Sequence, residues 1–295
     1  MAARDWLLIV FLGCIWGCSF LFNAILILEL GPIWVAAGRV GIAAAASWIL
    51  LAALRRRPPV GAAVWGQLLL LGVFSYAIPF TLFPLAQAHI ASGVAAIVNA
   101  MTPLMTVVIS HFWPDGERAS ALKIAGVLSG LAGVGLLSAP ALLAGGGSQI
   151  WAIGLCLLAT LAYAVALNYM RRFRSIEPSA SAAISLTGAT LAAVPVALLF
   201  EGIPVVTRPE TWAAWFAIGL VATFFAFQVM FRILPRVGAT NFSATTFIAP
   251  VTAILLGTLI LHERLQLEHF GGMALIFLGL LLIDGRLFRR RTATA

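Results

Sequence analysis

Ser92, Asn99, Thr102, Thr106 and Ser110 form a polar stripe in the largely apolar stretch 91–113. Their spacings of seven, three, four and four residues place them on one face of a helix. Pro103 interrupts the same stretch and lacks the N–H that would close on the carbonyl of Asn99. A freed carbonyl and an amide side chain thus belong to one residue, at a depth where hydrocarbon satisfies neither. This is binding chemistry, with hydrogen-bonding groups turned to a cavity. Catalysis is not expected: no Ser/His, Asp/His or metal-ligating cluster falls within a span. His89, His111, His262 and His269 are scattered in or near loops, so no metal and no cofactor is expected. Cys14, Cys18 and Cys156 lie in apolar stretches without CxxC spacing and read as small core residues.

The stretch has a twin. Pro250 follows Pro103 by 147 residues, and the carbonyl it frees belongs to Thr246, the position matching Asn99. Glu117-Arg118 then corresponds to Glu263-Arg264, and Gly126 and Gly133 to Gly272 and Gly279. The chain reads as a duplication.

Further candidates follow the helical repeat. Ser75, Tyr76, Pro79 and Phe83 share one face of the third apolar stretch, and Thr223, Phe224, Phe227 and Phe231 are their counterparts. The first stretch adds Trp16, Phe20 and Asn23, and the sixth adds Tyr163 and Leu167. The expected substrate-binding set is Trp16, Phe20, Ser75, Tyr76, Pro79, Phe83, Asn99, Pro103, Tyr163, Phe224, Phe227, Thr246 and Pro250. Packing between helices, or against lipid, is the plainer role for any single ring among them. Arg39 is the one basic residue far inside a span. It either snorkels outward or pairs with Glu29, or it serves as a gate or as a hook for a substrate carboxylate.

The elements that must position these residues follow from composition. Hydrophobic residues make up 62% of 295 and charged residues 9%. With a mean hydropathy of +1.06, this excludes an ordinary soluble domain. Ten apolar spans are expected, near 6–28, 33–54, 63–85, 91–113, 119–138, 150–170, 178–200, 211–231, 238–261 and 267–287. No cleavage site follows the first, so it reads as an uncleaved span. The fold class is an all-α integral membrane protein of ten transmembrane helices. Residues 1–140 form the first five-helix repeat, 141–149 a glycine-rich flexible linker, 150–288 the second repeat and 289–295 a basic tail.

The net charge of +8 is an orientation signal, and no nucleic-acid partner is expected. Fifteen of the 18 Lys and Arg fall in the termini and every second loop, against only Arg208 and Arg264 in the other loops. Both termini are therefore expected in the cytoplasm. Five spans per half is an odd number, so the two repeats are inverted relative to each other, as in many transporters. The Gly126–Gly130 step of the fifth span is expected to pack against a helix of the same chain.

The run Trp16-Gly17-x-Ser19-Phe20, the Ala37-Gly38-Arg39 step, the paired prolines Pro103 and Pro250, and the two Glu-Arg steps carry a resemblance. The chain resembles the drug/metabolite transporter superfamily in its ten-helix EamA-type branch, over nearly its full length. Within that branch it looks like the bacterial aromatic amino-acid exporters of the YddG type. The resemblance implies a multi-pass protein of the bacterial inner membrane that exports by alternating access. It also implies a central cavity lined by the first, third, fourth, sixth, eighth and ninth helices.

No Asp or Glu stands in the middle of a span and no Walker motif is present, so downhill export without proton or ATP coupling is expected. The expected partners are a small-molecule substrate (an amino acid or related metabolite) and membrane lipids. The protein is expected to act as a monomer. The freed carbonyls of Asn99 and Thr246 would hold an ammonium group. The rival readings are an exporter of lipophilic cationic drugs or other small metabolites, a passive channel and, least favoured, a membrane-embedded enzyme.

Overall fold

Helix starts follow local chemistry. Pro32, Pro178 and Pro209 occupy first-turn positions, where the missing N–H costs nothing. The Glu177 side chain accepts a 2.7 Å hydrogen bond from the amide of Ala180, and Ser120 accepts one from Lys123. The computed structural model describes residues 2–56, 58, 61–114 and 116–284. Arg57, Asp115 and the basic tail 289–295 lie outside them.

Among the described residues, nine helices are long and apolar enough to cross a membrane. They are α1 (Ala3–Leu26), α2 (Pro32–Ala53), α3 (Ala62–Gln87), α4 (Ser92–Phe112), α5 (Ala121–Leu143), α6 (Gly147–Phe173), α7 (Pro178–Glu201), α8 (Pro209–Gly238) and α10 (Leu267–Asp284). The ninth expected span is shorter: α9 covers Thr245–Leu259. Its expected beginning is drawn into the preceding helical segment, which turns at Gly238 with φ 74° and ψ 157° and ends at Phe242. Only glycine adopts that conformation readily.

Proline acts differently in each span. In α4 it ends one helix and starts another: Ser92–Asn99 stops, and Thr102–Phe112 begins with Pro103 in its first turn. In α3, Pro79 is absorbed by a π-turn over Val73–Ala77, after which the Ile78 amide bonds to the Val73 carbonyl five residues back. A second π-turn, Ala217–Phe225, lies in α8 without any proline. Pro250 sits inside α9. The twin prolines therefore do not produce twin breaks.

The expected flexible linker is corrected. The fifth helix runs on to Leu143 and the sixth begins at Gly147, leaving only three residues between them. Gly145 has φ 67°. The Gly146 amide bonds to the Ala141 carbonyl at 2.8 Å, and the Gly145 amide to Leu142 at 3.3 Å. This is a Schellman stop, so the glycines end a helix and do not form a loose tether.

The most extensive helix contacts are α5 on α10, α2 on α7, α1 on α9, α4 on α6, α2 on α8, α3 on α7, α1 on α8 and α3 on α6. Exchanging α1–α5 with α6–α10 turns this set of pairs into itself. The α5–α10 seam is built on glycine. A Cβ added at Gly126 would lie 2.7 Å from the Gly279 carbonyl oxygen, and one at Gly133 would lie 2.6 Å from that of Gly272. Gly126 of the GxxxG step thus packs within its own chain. Apolar side chains also cover the outer surface, as lipid contact requires; Phe200 is 75% exposed.

Polar links tie the ends of the bundle. At the end holding the chain start, Arg236 pairs with Asp5 at 3.3 Å, and Arg56 pairs with Glu177. At the opposite end, Glu201 accepts hydrogen bonds from the amides of Ile33 and Trp34 at 3.0 and 2.9 Å. There too, Glu29 accepts from the Thr207 and Thr211 hydroxyls, both at 2.5 Å.

Candidate functional site

Helices α1, α3, α4, α6, α8 and α9 enclose a cavity of about 330 Å³, to which α2 contributes Arg39. This volume is in the range of small-molecule sites. Rings form its wall, six of them in a connected chain and two as a separate pair. Phe20 meets Phe83 at 5.7 Å between centroids, Phe83 meets Tyr163 at 6.3 Å, and Tyr163 meets Phe80 at 6.5 Å. Tyr76 follows at 5.8 Å from Phe80 and 5.5 Å from Phe227, and Trp16 meets Phe242 at 5.9 Å. These separations suit offset and edge contacts, which add to the apolar area the rings bury.

Met170 and Phe242, which end their helical segments on the Arg236–Asp5 side, both line the cavity. At the other side the wall is closed by a buried amide network. The Asn23 Nδ2 donates to Gln87 Oε1 at 3.0 Å, and Gln87 Nε2 donates to the Phe20 carbonyl at 2.8 Å.

Arg39 is 6% exposed. Its Nε donates to the Thr223 hydroxyl at 2.8 Å, and its guanidinium carbon lies 3.6 Å over the Phe80 ring. Thr223 in turn donates to the Ile218 carbonyl, five residues back in the α8 π-turn. The pairing with Glu29 does not form, because that carboxylate is held by Thr207, Arg208 and Thr211. Nor does Arg39 snorkel. It is a desolvated cation with no carboxylate among the residues lining its cavity.

Of the expected residues, Trp16, Phe20, Ser75, Tyr76, Phe83, Asn99, Tyr163, Phe227, Thr246 and Arg39 line this one cavity. Pro79, Pro103, Phe224 and Pro250 stand outside the lining. Pro79 and Pro250 are buried in the walls, Pro103 starts the second half of α4, and Phe224 packs against the alanine-rich cluster of α2 and α7.

The polar stripe of α4 divides. Only Asn99 and Thr102 reach the cavity. Ser92 is bound to Glu263 at one end, Ser110 accepts from the Glu117 amide at the other, and Thr106 donates to the Thr102 carbonyl. The freed Asn99 carbonyl accepts from the Thr102 hydroxyl at 2.8 Å, which satisfies it within the chain.

Residues 5–139 match the sequence pattern of the EamA-like transporter family, and residues 150–284 match it a second time. The chain belongs to the EamA-like transporter family. Similar proteins span the same length. An uncharacterized transporter of Archaeoglobus fulgidus is 23% identical over 95% of this chain and 98% of its own. Protein PecM of Dickeya dadantii is 25% identical over 94% and 92% of the two chains. The uncharacterized inner membrane transporter YedA of Escherichia coli is 26% identical over 91% and 87%. A solved crystal structure at 21% identity superposes with a TM-score of 0.67 over 99% of this chain and all of that one, which establishes the shared fold. Two of these names give transport, and none gives a substrate. The protein is a multi-pass EamA-family membrane transporter.

Several wall residues of this EamA protein were not anticipated. Phe80, the ring under Arg39, lies four residues beyond Tyr76, so the helical repeat points to it directly. Gln87 is a lone amide near the end of an apolar span, a signal of the same kind as Asn23. Thr223 is among the expected counterparts of Ser75, Tyr76, Pro79 and Phe83, but its bond to Arg39 spans 184 residues, which no local pattern reveals.

Proposed function

We propose that this protein exports neutral, mainly aromatic or hydrophobic amino acids and related metabolites across the bacterial inner membrane. The carrying observation is the single ring-walled cavity, apolar over most of its surface, with hydroxyl, amide and guanidinium groups along it. A bulky apolar side chain fits the rings, and a compact polar head fits the few hydrogen-bonding groups. A lipophilic cationic drug is disfavoured by Arg39, the only charged group among the described residues of the lining. Phosphorylated sugars would call for several cations, and one is present.

Alternating access is the mechanism we infer, with the two halves as inverted repeats. The exchange-invariant helix pairs and the Gly126–Gly279 and Gly133–Gly272 contacts support that symmetry. The cavity reaches the end of the bundle that carries most Lys and Arg, which the positive-inside rule assigns to the cytoplasm together with both termini. The opposite end is shut by the Asn23–Gln87 network, so the arrangement corresponds to an inward-open state of a monomer. With no carboxylate among the described lining residues to carry a coupling proton, we infer that export runs downhill.

Counterflow in liposomes tests this reading. Vesicles loaded with unlabelled phenylalanine should take up labelled phenylalanine transiently and saturably. An imposed pH gradient should not concentrate the label. Linear, unsaturable flux would indicate a pore, and strong accumulation down a proton gradient would overturn uncoupled export.

A further inference from the structure

We propose that Arg39 and Ser75 anchor the substrate's carboxylate, so that the ligand class of this cavity is aromatic monocarboxylates. The amine of an amino acid is then an auxiliary and not the recognised group. This rests on the cavity being the substrate site.

The argument begins with the unspent groups at Arg39. Its Nε is used by Thr223 and its face by Phe80, while neither terminal NH2 group has a hydrogen-bond partner among the described residues. The side chain is nevertheless 94% buried and belongs to the cavity wall. A guanidinium fixed in orientation by one hydrogen bond and one ring, with its fork free, is arranged for bidentate contact with a planar anion. Its charge is uncompensated within the wall, and a bound anion removes that cost.

Ser75 supplies an independent observation. Its hydroxyl is buried, lines the same cavity and has no hydrogen-bond partner among the described residues. It sits in the α3 π-turn, one residue before Tyr76, whose ring packs on Phe80. Two π-turns, one in each half, therefore serve one end of the ligand: the α8 turn orients Arg39 through Thr223, and the α3 turn presents a free donor.

The contrast with the amine is quantitative. The buried unpartnered acceptors offered by the wall, Asn23 Oδ1 and the hydroxyls of Ser19 and Ser75, are all neutral. Losing a hydrogen bond to a neutral acceptor costs about fivefold in affinity, whereas breaking one side of a buried charge pair costs about thirtyfold or more. Carboxylate loss therefore dominates. The same cavity would accept deaminated aryl acids, whose only head group is the anion.

Four compounds separate the possibilities: phenylalanine, 3-phenylpropionate, phenylalanine amide and phenethylamine, each titrated calorimetrically into the purified wild-type protein. Phenylpropionate should bind within about tenfold of phenylalanine, and the two carboxylate-free compounds about a hundredfold or more weaker. Ser75→Ala, which leaves Arg39 packed, should weaken the two acids severalfold and leave the amines unchanged. Equal binding of phenethylamine and phenylalanine would overturn the carboxylate anchor while leaving amino-acid export standing. Binding of phenylpropionate without phenylalanine would support the anchor and remove the amino-acid reading. Binding of none would remove both.

Discussion

Glu263 grips the start of α4 through Ser92. Its Oε1 accepts from the Ser92 amide at 2.7 Å, and its Oε2 accepts from the Ser92 hydroxyl at 2.9 Å. The Gly93 amide adds a third bond at 3.3 Å. A carboxylate here satisfies amides that have no partner within the helix and meets the positive end of its dipole. Gly257 makes the room, since a Cβ there would lie 2.4 Å from Glu263 Oε2 and 2.8 Å from the Ser92 hydroxyl oxygen. Glu117, the counterpart of Glu263 in the first half, pairs with Lys123 instead.

Glu263→Ala is expected to lower stability by about 1–2 kcal/mol, because several charge-assisted bonds are lost from a partly exposed site. Glu117→Ala should cost under about 1 kcal/mol, since that carboxylate is 70% exposed. Thermal unfolding of the purified variants, followed by a tryptophan or thiol probe, checks the order. A Glu117 variant less stable than the Glu263 variant would contradict it.

Acid should loosen the loop between α7 and α8 through Glu29. The Thr207 hydroxyl first, and then that of Thr211, hold its carboxyl below the usual value of 4.5. A depressed value in the folded state means that its stabilisation is complete above the unfolded value and lost as pH falls through the folded one. The unfolding midpoint should therefore stay level from neutrality to about pH 5 and then fall. Glu29→Gln should flatten part of that acid limb. Identical limbs in the two proteins would exclude Glu29 as a contributor.

Glycine at the α5–α10 seam sets the distance between those helices. A Cβ at Gly279 would approach the Gly126 carbonyl oxygen to 2.4 Å, and neither backbone can yield without separating the pair. Gly279→Val is expected to destabilise by about 1–3 kcal/mol. Gly135→Ala, on the partner helix α5, meets nothing within 4 Å and should be neutral or slightly stabilising. Equal effects of the two substitutions would show that close approach is not what the seam requires.

Much of this was legible in the sequence because it follows from short periodicities. The apolar lengths placed the helices, and the helical repeat through Trp16, Phe20, Tyr76, Phe83, Tyr163 and Phe227 picked out rings that do meet in one cavity. What failed depended on backbone detail. A proline can break a helix, as Pro103 does, or be absorbed by a π-turn, as Pro79 is; the residue alone does not say which. The stripe on α4 lay on one helical face, yet Ser92 and Ser110 were committed to partners at opposite ends. Gly145 looked like part of a tether and is a helix stop. Arg39 could be singled out by its depth, but its orientation came from Thr223 and Phe80, which only the folded chain brings to it.

The account turns on substrate occupying the ring-walled cavity, and blocking that space tests it most directly. Ala166 is 2% exposed and lines the cavity on α6 beside Leu167. Ala166→Trp would fill the space with an indole while leaving the lipid-facing surface unchanged. The measurement is phenylalanine counterflow in liposomes holding equal amounts of wild-type and variant protein, with folding verified by monodisperse elution. The account predicts saturable exchange in the wild type and its loss in the variant. Undiminished exchange by a folded Ala166→Trp protein would contradict it.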